Sequence, residues 1–160
     1  MPLVKLGIPE LSAFLQSQGI CGEILKLDVP TPTVEMAAQA VNAKPEQIIK
    51  SILFMADDQP VLAIACGLAT INRRPIADFF GMGKKRVKLA SAQLVLEISG
   101  YEVGAMPPFG HRQALNTLID RRLLDLNEAY AGGGAENALL RLDPHEILRV
   151  TAASVLDLLE

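Results

Sequence analysis

The chain has 160 residues, half of them hydrophobic, and a formal net charge of −3 at pH 7. This length suits one domain that buries about two thirds of its unfolded surface, and the composition is not typical of a disordered protein. The apolar runs are far shorter than the roughly 18 residues of a membrane span, and the N-terminus shows no signal-type segment. We therefore expect a single domain over residues 1–160, located in the cytoplasm, with no membrane partner. The acidic balance excludes a general nucleic-acid coat.

The cysteines and histidines do not predict a metal centre. Cys21 and Cys66 form no CxxC pair, and His111 and His145 cannot complete a zinc set at standard spacing. We expect both cysteines to be small, buried, reduced side chains, since a cytoplasmic location disfavours a disulfide. No cofactor is expected.

The first half of the chain predicts helices and strands in irregular alternation. Apolar spacing indicates an amphipathic helix over residues 9–18 and a strand over residues 23–29. Thr33 suits the N-cap of a helix that reaches Val41, and Pro45 opens a short helical turn. Two apolar runs, 50–56 and 61–66, predict a hairpin around a turn at 57–60.

The second half continues this pattern. We predict a helix over residues 72–80, a half-exposed strand over 86–90, and a helix that Ser91 caps and Gly100 ends. Further strands are expected at 115–120, 128–131 and 139–142, then a helix capped by Asp143 and a short helical turn within 151–158. About six or seven short strands and five helices, without GxGxxG or P-loop motifs, predict an α+β fold. Its sheet is expected to be mixed, largely antiparallel and barrel-like, with helices packed outside.

Two glycine-rich segments are candidates for ligand binding. Residues 99–112 contain three glycines and two prolines, so their bare backbone N–H groups can recognise an ester or a phosphate. Gly132–Gly134, followed by Asn137, form a second such segment. Ordinary turns between strands explain both segments equally simply.

Lys50 is the third candidate. It stands where an apolar turn passes into a strand that is expected to be buried. Its side chain either extends to the surface or holds its ammonium in a partly enclosed pocket, where it binds anions more strongly. Lys50 and the two glycine-rich segments can form one pocket, in which a positive charge faces two walls of backbone donors.

A conventional nucleophile is not evident. There is no GxSxG motif, and neither cysteine has the sequence context of a catalytic thiol. A local basic group, Lys84, Lys85, Arg86 and Lys88, can meet phosphates despite the acidic net charge. A solvated connection is the simpler interpretation of that group.

Five segments together resemble the YbaK family of editing domains associated with prolyl-tRNA synthetases. They are residues 33–38 (TVEMAA), 47–54 (QIIKSILF), 100–110 (GYEVGAMPPFG), 118–120 (LID) and 132–134 (GGG), in the order and at about the spacing of that family. The resemblance covers roughly residues 5–158. It implies a mixed β-barrel with packed helices, in a free-standing member that hydrolyses mischarged aminoacyl-tRNA in trans.

The resemblance also implies roles for individual residues. Lys50 matches the lysine at the pocket mouth that engages the 3′-terminal nucleotide, and Gly104 matches the loop glycine whose backbone contacts the aminoacyl group. These two are the expected catalytic positions. The expected substrate-binding positions are Ala105, Met106, Pro107, Phe109, Gly110, His111, Gly132, Gly133, Gly134 and Asn137, and the expected tRNA phosphate contacts are Lys84, Lys85, Arg86 and Lys88.

The substrate implied is tRNA(Pro) carrying a small amino acid such as Ala or Cys, with a prolyl-tRNA synthetase as a further partner. Some cysteinyl-tRNA deacylases of the family carry a serine where this chain has Gly132, so cysteine specificity does not transfer directly. Two other functions remain open. One is a non-catalytic module that binds tRNA ends or docks on a synthetase, and the other is a hydrolase of small aminoacyl esters.

Overall fold

The computed structural model describes residues 4–160. This part of the chain forms five α-helices and eight β-strands, which follow in the order α1 (Ile8–Ser17), β1 (Gly22–Lys26), α2 (Val34–Ala40), β2 (Ile49–Ala56), β3 (Gln59–Cys66), α3 (Arg73–Phe80), β4 (Val87–Leu89), α4 (Ala92–Ser99), β5 (Asn116–Asp120), β6 (Ala129–Gly132), β7 (Ala138–Leu142), α5 (His145–Thr151) and β8 (Ser154–Leu156). Short 3-10 turns lie at Pro45–Gln47, Lys84–Arg86 and Arg121–Asp125. The predicted α+β class is confirmed.

The strands form two sheets. The larger has the order β4-β2-β3-β5-β8, and the smaller has the order β1-β7-β6. The β3–β5 and β5–β8 pairs are parallel, whereas the other pairs in these sheets are antiparallel. A single bridge between Ile48 and Tyr130 joins the sheets. The arrangement is therefore mixed and largely antiparallel, and it is barrel-like only in a loose sense, since the sheets do not close.

The larger sheet is buried on both faces. One face packs against the smaller sheet and helices α1, α4 and α5, through residues such as Leu53, Ile64 and Leu140. The other face packs against α3 through Ala63 and Ile76. This explains the almost continuous apolar run of β3, because a strand covered on both faces needs no polar alternation.

Side chains at the helix starts explain why several boundaries were predictable. The hydroxyl of Thr33 accepts a hydrogen bond from the Met36 amide at 3.1 Å, and that of Ser91 accepts from the Leu94 amide at 3.2 Å. Each satisfies one of the amide groups that a helix start leaves unpaired. Gly100 ends α4, as predicted.

Three details differ from the sequence expectations. Residues 151–158 do not add a helical turn, because β8 pairs in parallel with β5 and the Leu158 amide donates to the buried Asp120 carboxylate at 2.8 Å. This short strand also raises the strand count to eight from the six or seven expected. Cys21 is exposed because it precedes an edge strand whose first residues face solvent, whereas Cys66 is buried as expected.

The helices are short in the part of the chain that the structure describes. None of them has the length and apolar character needed to cross a membrane.

Candidate functional site

Four separate segments line a cavity of about 270 Å³ that we call the lysine cavity. They are residues 31–34 and Ala37 at the start of α2, residues 48–52 at the start of β2, Val103, Gly104 and Met106 of the glycine-rich loop, and Ala131, Gly132 and Leu139 beside the β6–β7 turn. Lys50, Gly104, Met106 and Gly132 all belong to this lining. Lys50 and parts of both glycine-rich segments therefore line one cavity.

Lys50 is held at the wall of the cavity. It lies in β2 opposite Ala65 of β3, and its ammonium donates a hydrogen bond to the Ala69 carbonyl. Partial burial lowers the pKa of Lys50, and the nearby Cys66 thiol acts weakly in the opposite direction. No carboxylate pairs with this ammonium among residues 4–160. Because an ammonium has three N–H donors, Lys50 keeps donors for a ligand.

Gly132 allows the two glycine-rich segments to touch. A Cβ atom at this position would collide with the Met106 carbonyl, at 2.7 Å from its carbon and 3.2 Å from the Ala105 oxygen. The amide of Gly134 also donates to the Ala105 carbonyl at 2.9 Å. A side chain at position 132 would therefore push the 103–106 segment away.

Gly104 faces the open space of the cavity. Its φ is +88°, a conformation that favours glycine, and no atom lies within 4 Å of the position a Cβ would take. The backbone at Gly104 is therefore accessible to a ligand beside Lys50.

Several residues of the glycine-rich loop lie outside the lysine cavity and pack elsewhere. The ring of Phe109 stacks on Phe14 with centroids 5.4 Å apart, and Gly110 lies against the same Phe14 side chain. Nε2 of His111 lies 2.7 Å from the Pro107 carbonyl oxygen, and burial lowers the pKa of His111 to about 4. Phe109, Gly110 and His111 line a different cavity, between α1 and α5.

The remaining residues of the second glycine-rich segment shape its turn. Gly133 lies against the backbone of Ala138, and Gly134 lies against that of Gly7. The Asn137 amide group donates to the Leu27 carbonyl at 3.2 Å. These residues, together with Ala105, Pro107, Phe109, Gly110 and His111, do not line the lysine cavity, so we do not carry them into the functional proposal.

The basic group is divided by its contacts. Nε of Arg86 donates to the Asp57 carboxylate at 2.9 Å, and this pairing lowers the pKa of Asp57. Lys84, Lys85 and Lys88 are exposed and form no ion pair within residues 4–160. Three cations are therefore available to an anionic partner, and Arg86 is committed to its own ion pair.

Sequence reasoning missed one wall of the cavity and one polar atom. The wall is apolar and consists of Val34, Ala37, Ile48 and Leu139. The segment 33–38, one of those that carry the family resemblance, contained Val34 and Ala37, but their helical spacing indicated only packing. The polar atom is the Ser51 hydroxyl, which is buried and makes no hydrogen bond in the described structure.

The described residues offer no cluster of metal-ligating side chains. Within residues 4–160, no three His, Cys, Asp or Glu side chains are grouped closely enough to hold an ion.

The family model for the aminoacyl-tRNA editing domain matches residues 28–150. The chain belongs to this family. The matched range contains β2, the 103–106 segment and the β6–β7 turn, and so includes the parts of this editing domain that line the lysine cavity.

Individual relatives agree with this assignment. The editing domain superposes on the crystal structure of a candidate trans-editing enzyme for prolyl tRNA synthetase with a TM-score of 0.88, at 31% identity and over 96% of each chain. It is 27% identical over 134 residues to the uncharacterized protein YwhH of Bacillus subtilis (strain 168), covering 83% of both chains. A proline–tRNA ligase of Thermoanaerobacter sp. (strain X514) is 26% identical over 127 residues, which are 77% of this chain and 22% of the ligase.

Proposed function

We propose that this editing domain is a trans-editing hydrolase that cleaves the ester of mischarged aminoacyl-tRNA. The observation that supports the proposal is the lysine cavity, which Lys50, Gly104 and Gly132 line together. An aminoacyl ester joins an acyl carbonyl to the terminal ribose of a polyanion. A cation and exposed backbone at one site suit both halves of that group.

In this proposal, a water molecule attacks the ester carbonyl carbon, and the bond to the ribose oxygen breaks. The products are a free amino acid and a tRNA with a free terminal hydroxyl. Lys50 fixes the nucleotide side, and the backbone beside Gly104 positions the acyl side. The 2′-hydroxyl or the α-amine of the substrate assists the proton transfer.

A covalent mechanism through Ser51 has no support. A serine nucleophile needs a base within hydrogen-bond reach, and the Ser51 hydroxyl has no hydrogen-bond partner in residues 4–160. Direct attack by water, without a protein nucleophile, fits the residues that line the cavity.

Size and polarity of the cavity suggest which amino acid is removed. The space is about 270 Å³, and Val34, Ala37 and Leu139 make one wall apolar. A small apolar side chain can pack against this wall, in the way that a second, editing site accepts a small substrate. Together with the similarity to proline–tRNA ligases, this favours tRNA(Pro) carrying Ala or Cys, with a prolyl-tRNA synthetase as the partner that supplies it in the cytoplasm.

The experiment compares the wild type with Lys50→Ala and the matched control Lys26→Ala on Ala-tRNA(Pro), Cys-tRNA(Pro) and Pro-tRNA(Pro). Lys26 is an exposed lysine of β1 that lies outside the lysine cavity. We expect the wild type and Lys26→Ala to deacylate a mischarged tRNA, and Lys50→Ala to be slower by roughly 10²-fold. A wild-type rate in Lys50→Ala would refute the role of Lys50. Binding without turnover of any substrate would indicate a non-catalytic module, and equal cleavage of esters without tRNA would indicate a small-molecule hydrolase.

A further inference from the structure

The ammonium of Lys50 is held by an exposed loop. Its acceptor, the Ala69 carbonyl, belongs to residues 67–72, which connect β3 to α3 and which we call the 67–72 loop. Residues 68–70 of this loop are exposed and lie in no helix or strand. Exposed segments of this kind open locally at a low cost in free energy unless other bonds hold them. Whatever fixes the 67–72 loop therefore also fixes the hydrogen bond to Lys50.

A segment that follows β8 holds the loop in place. An isolated antiparallel bridge joins residues 158–160, which we call the 158–160 segment, to the 67–72 loop. The Asn72 amide donates to the Leu158 carbonyl at 2.7 Å, and the Glu160 amide donates to the Thr70 carbonyl at 3.1 Å. The second of these bonds acts on the residue directly after the carbonyl that binds Lys50. The position of that carbonyl thus depends on the 158–160 segment.

The carboxylate of Asp120 fixes the 158–160 segment. It accepts a hydrogen bond from the Leu158 amide at 2.8 Å, and both residues are fully buried. Hydrogen bonds to an ionised acceptor are stronger than bonds between neutral groups. Asp120 is the last residue of β5, which lies beside β3 in the larger sheet. The 158–160 segment is therefore attached to the sheet and not to another loop.

Asp120 has no direct part in the lysine cavity. It ends segment 118–120, which carries part of the family resemblance, yet it is not among the residues that line the cavity. Its carboxylate also accepts from the Arg122 amide at 3.0 Å and from the Arg122 guanidinium. Three successive links lead from this carboxylate to Lys50: the Leu158 amide, the pairing of the 158–160 segment with the 67–72 loop, and the Ala69 carbonyl.

We propose that Asp120 is a positioning residue that fixes the ammonium of Lys50 through the 158–160 segment and the 67–72 loop. Asp120 does not touch the substrate. When its bond to the Leu158 amide is lost, the loop moves more freely, and the ammonium leaves the place where it meets the ligand. The catalytic consequence rests on the proposed function, because that function gives Lys50 its role.

The first variant is Asp120→Asn, with Asp157→Asn as its matched control. An asparagine side chain has one acceptor oxygen and one NH₂ group, so it cannot accept from the Leu158 and Arg122 amides together. Asp157 shares the Arg122 guanidinium with Asp120, but its carboxylate is half-exposed and accepts from arginine side chains only, within residues 4–160. Both variants remove one negative charge beside Arg122, and only Asp120→Asn disturbs the 158–160 segment.

The second variant is Glu160→Pro, which keeps the proposal testable if Asp120→Asn folds poorly. Proline has no N–H group, so the hydrogen bond to the Thr70 carbonyl is lost. Glu160→Ala is the matched control, because it loses the same side chain and keeps the amide. Circular dichroism at the assay temperature establishes that each protein is folded.

The first measurement is the rate at which acetic anhydride modifies the Lys50 amine, followed by mass spectrometry with the exposed Lys26 as an internal reference. Only the free amine reacts, and a carbonyl acceptor favours the protonated ammonium. We expect Asp120→Asn and Glu160→Pro each to raise the rate at Lys50, relative to Lys26, by about threefold. Asp157→Asn and Glu160→Ala should match the wild type.

The second measurement is a double-mutant cycle on the deacylation of mischarged tRNA(Pro). Asp120→Asn and Glu160→Pro should each slow the wild type roughly fivefold, and should slow Lys50→Ala less than twofold, because their effect passes through the ammonium. A general loss of structure would slow both backgrounds by the same factor.

Two outcomes would overturn the inference. One is an unchanged rate of Lys50 modification in both Asp120→Asn and Glu160→Pro, and the other is an equal slowing of deacylation with and without Lys50. The modification needs no tRNA, so its result does not depend on the proposed function. Faster modification of Lys50, together with a wild-type deacylation rate in Lys50→Ala, would support the positioning by Asp120 and refute the catalytic role of Lys50.

Discussion

Replacing Gly132 by alanine tests whether contact between the two glycine-rich segments builds the site. The added Cβ would lie 2.7 Å from the Met106 carbonyl carbon and 3.2 Å from the Ala105 oxygen, and all the opposing atoms are backbone. To remove this steric overlap, the 103–106 segment must move by about 1 Å. Overpacking of this kind costs about 1–3 kcal/mol of unfolding free energy, and a displacement of that size at a reacting group reduces the rate about 10²-fold.

The assay measures urea denaturation and deacylation of mischarged tRNA(Pro) for Gly132→Ala and for Gly83→Ala. Gly83 is the matched control, because it has a φ of −73° and no atom within 4 Å of the Cβ position. Gly83→Ala should keep wild-type activity and stability, or gain a few tenths of a kcal/mol from a less flexible unfolded chain. Wild-type stability together with wild-type activity in Gly132→Ala would show that the contact between the segments is dispensable.

Three further predictions concern charge and protonation. The pKa of His111 is about 4 in the fold against an ordinary 6.5, so the unfolded chain binds more protons between these values, and the unfolding free energy should fall by about 2–3 kcal/mol as the pH drops from 6.5 to 4. Urea denaturation of His111→Gln should show a loss that is smaller by this amount, because carboxylates with lowered pKa values, such as Asp57 and Asp143, still contribute. An unchanged loss in the variant would exclude His111 as a source. Asp120 is fully buried and accepts hydrogen bonds from the Leu158 amide and from Arg122, so Asp120→Asn should cost about 2–4 kcal/mol, while Asp157→Asn, at an exposed ion pair, should cost less than about 1 kcal/mol. Equal stabilities of these two variants would contradict the role of burial. Burial lowers the pKa of Lys50. The deacylation rate, after subtraction of spontaneous hydrolysis, should therefore begin to decline at a pH below the ordinary lysine pKa of about 10.4. Lys50→Arg should lack that decline, and an identical pH profile in both proteins would assign the decline to another group.

Local signals in the sequence were sufficient for most elements. Thr33 and Ser91 indicate helix starts because their hydroxyls accept hydrogen bonds from otherwise unpaired amide groups. The apolar run over β3 indicates a buried strand because both faces of that strand are covered. β8 was missed for the opposite reason. It has three residues, and its partner β5 lies over thirty positions earlier, so the pairing leaves no local pattern.

The sequence predicted site residues that stand in an unusual context, and it did not predict those whose pattern is common to many folds. A lysine entering a buried strand and two glycine runs pointed to a pocket, and Lys50, Gly104 and Gly132 do line one cavity. His111 and Phe109 belong to the same glycine-rich loop but pack away from that cavity, since spacing along a loop does not specify its direction. Val34 and Ala37 have the periodicity of any amphipathic helix, and only their position in the fold shows that they face the cavity.

The lysine cavity draws its lining from segments separated by about one hundred positions, from Thr31 to Leu139. During synthesis, a nascent chain that has not yet emerged past β7 possesses the ammonium of Lys50 but lacks the opposing wall. Any capacity to discharge tRNA is therefore acquired only after β7 has left the ribosome.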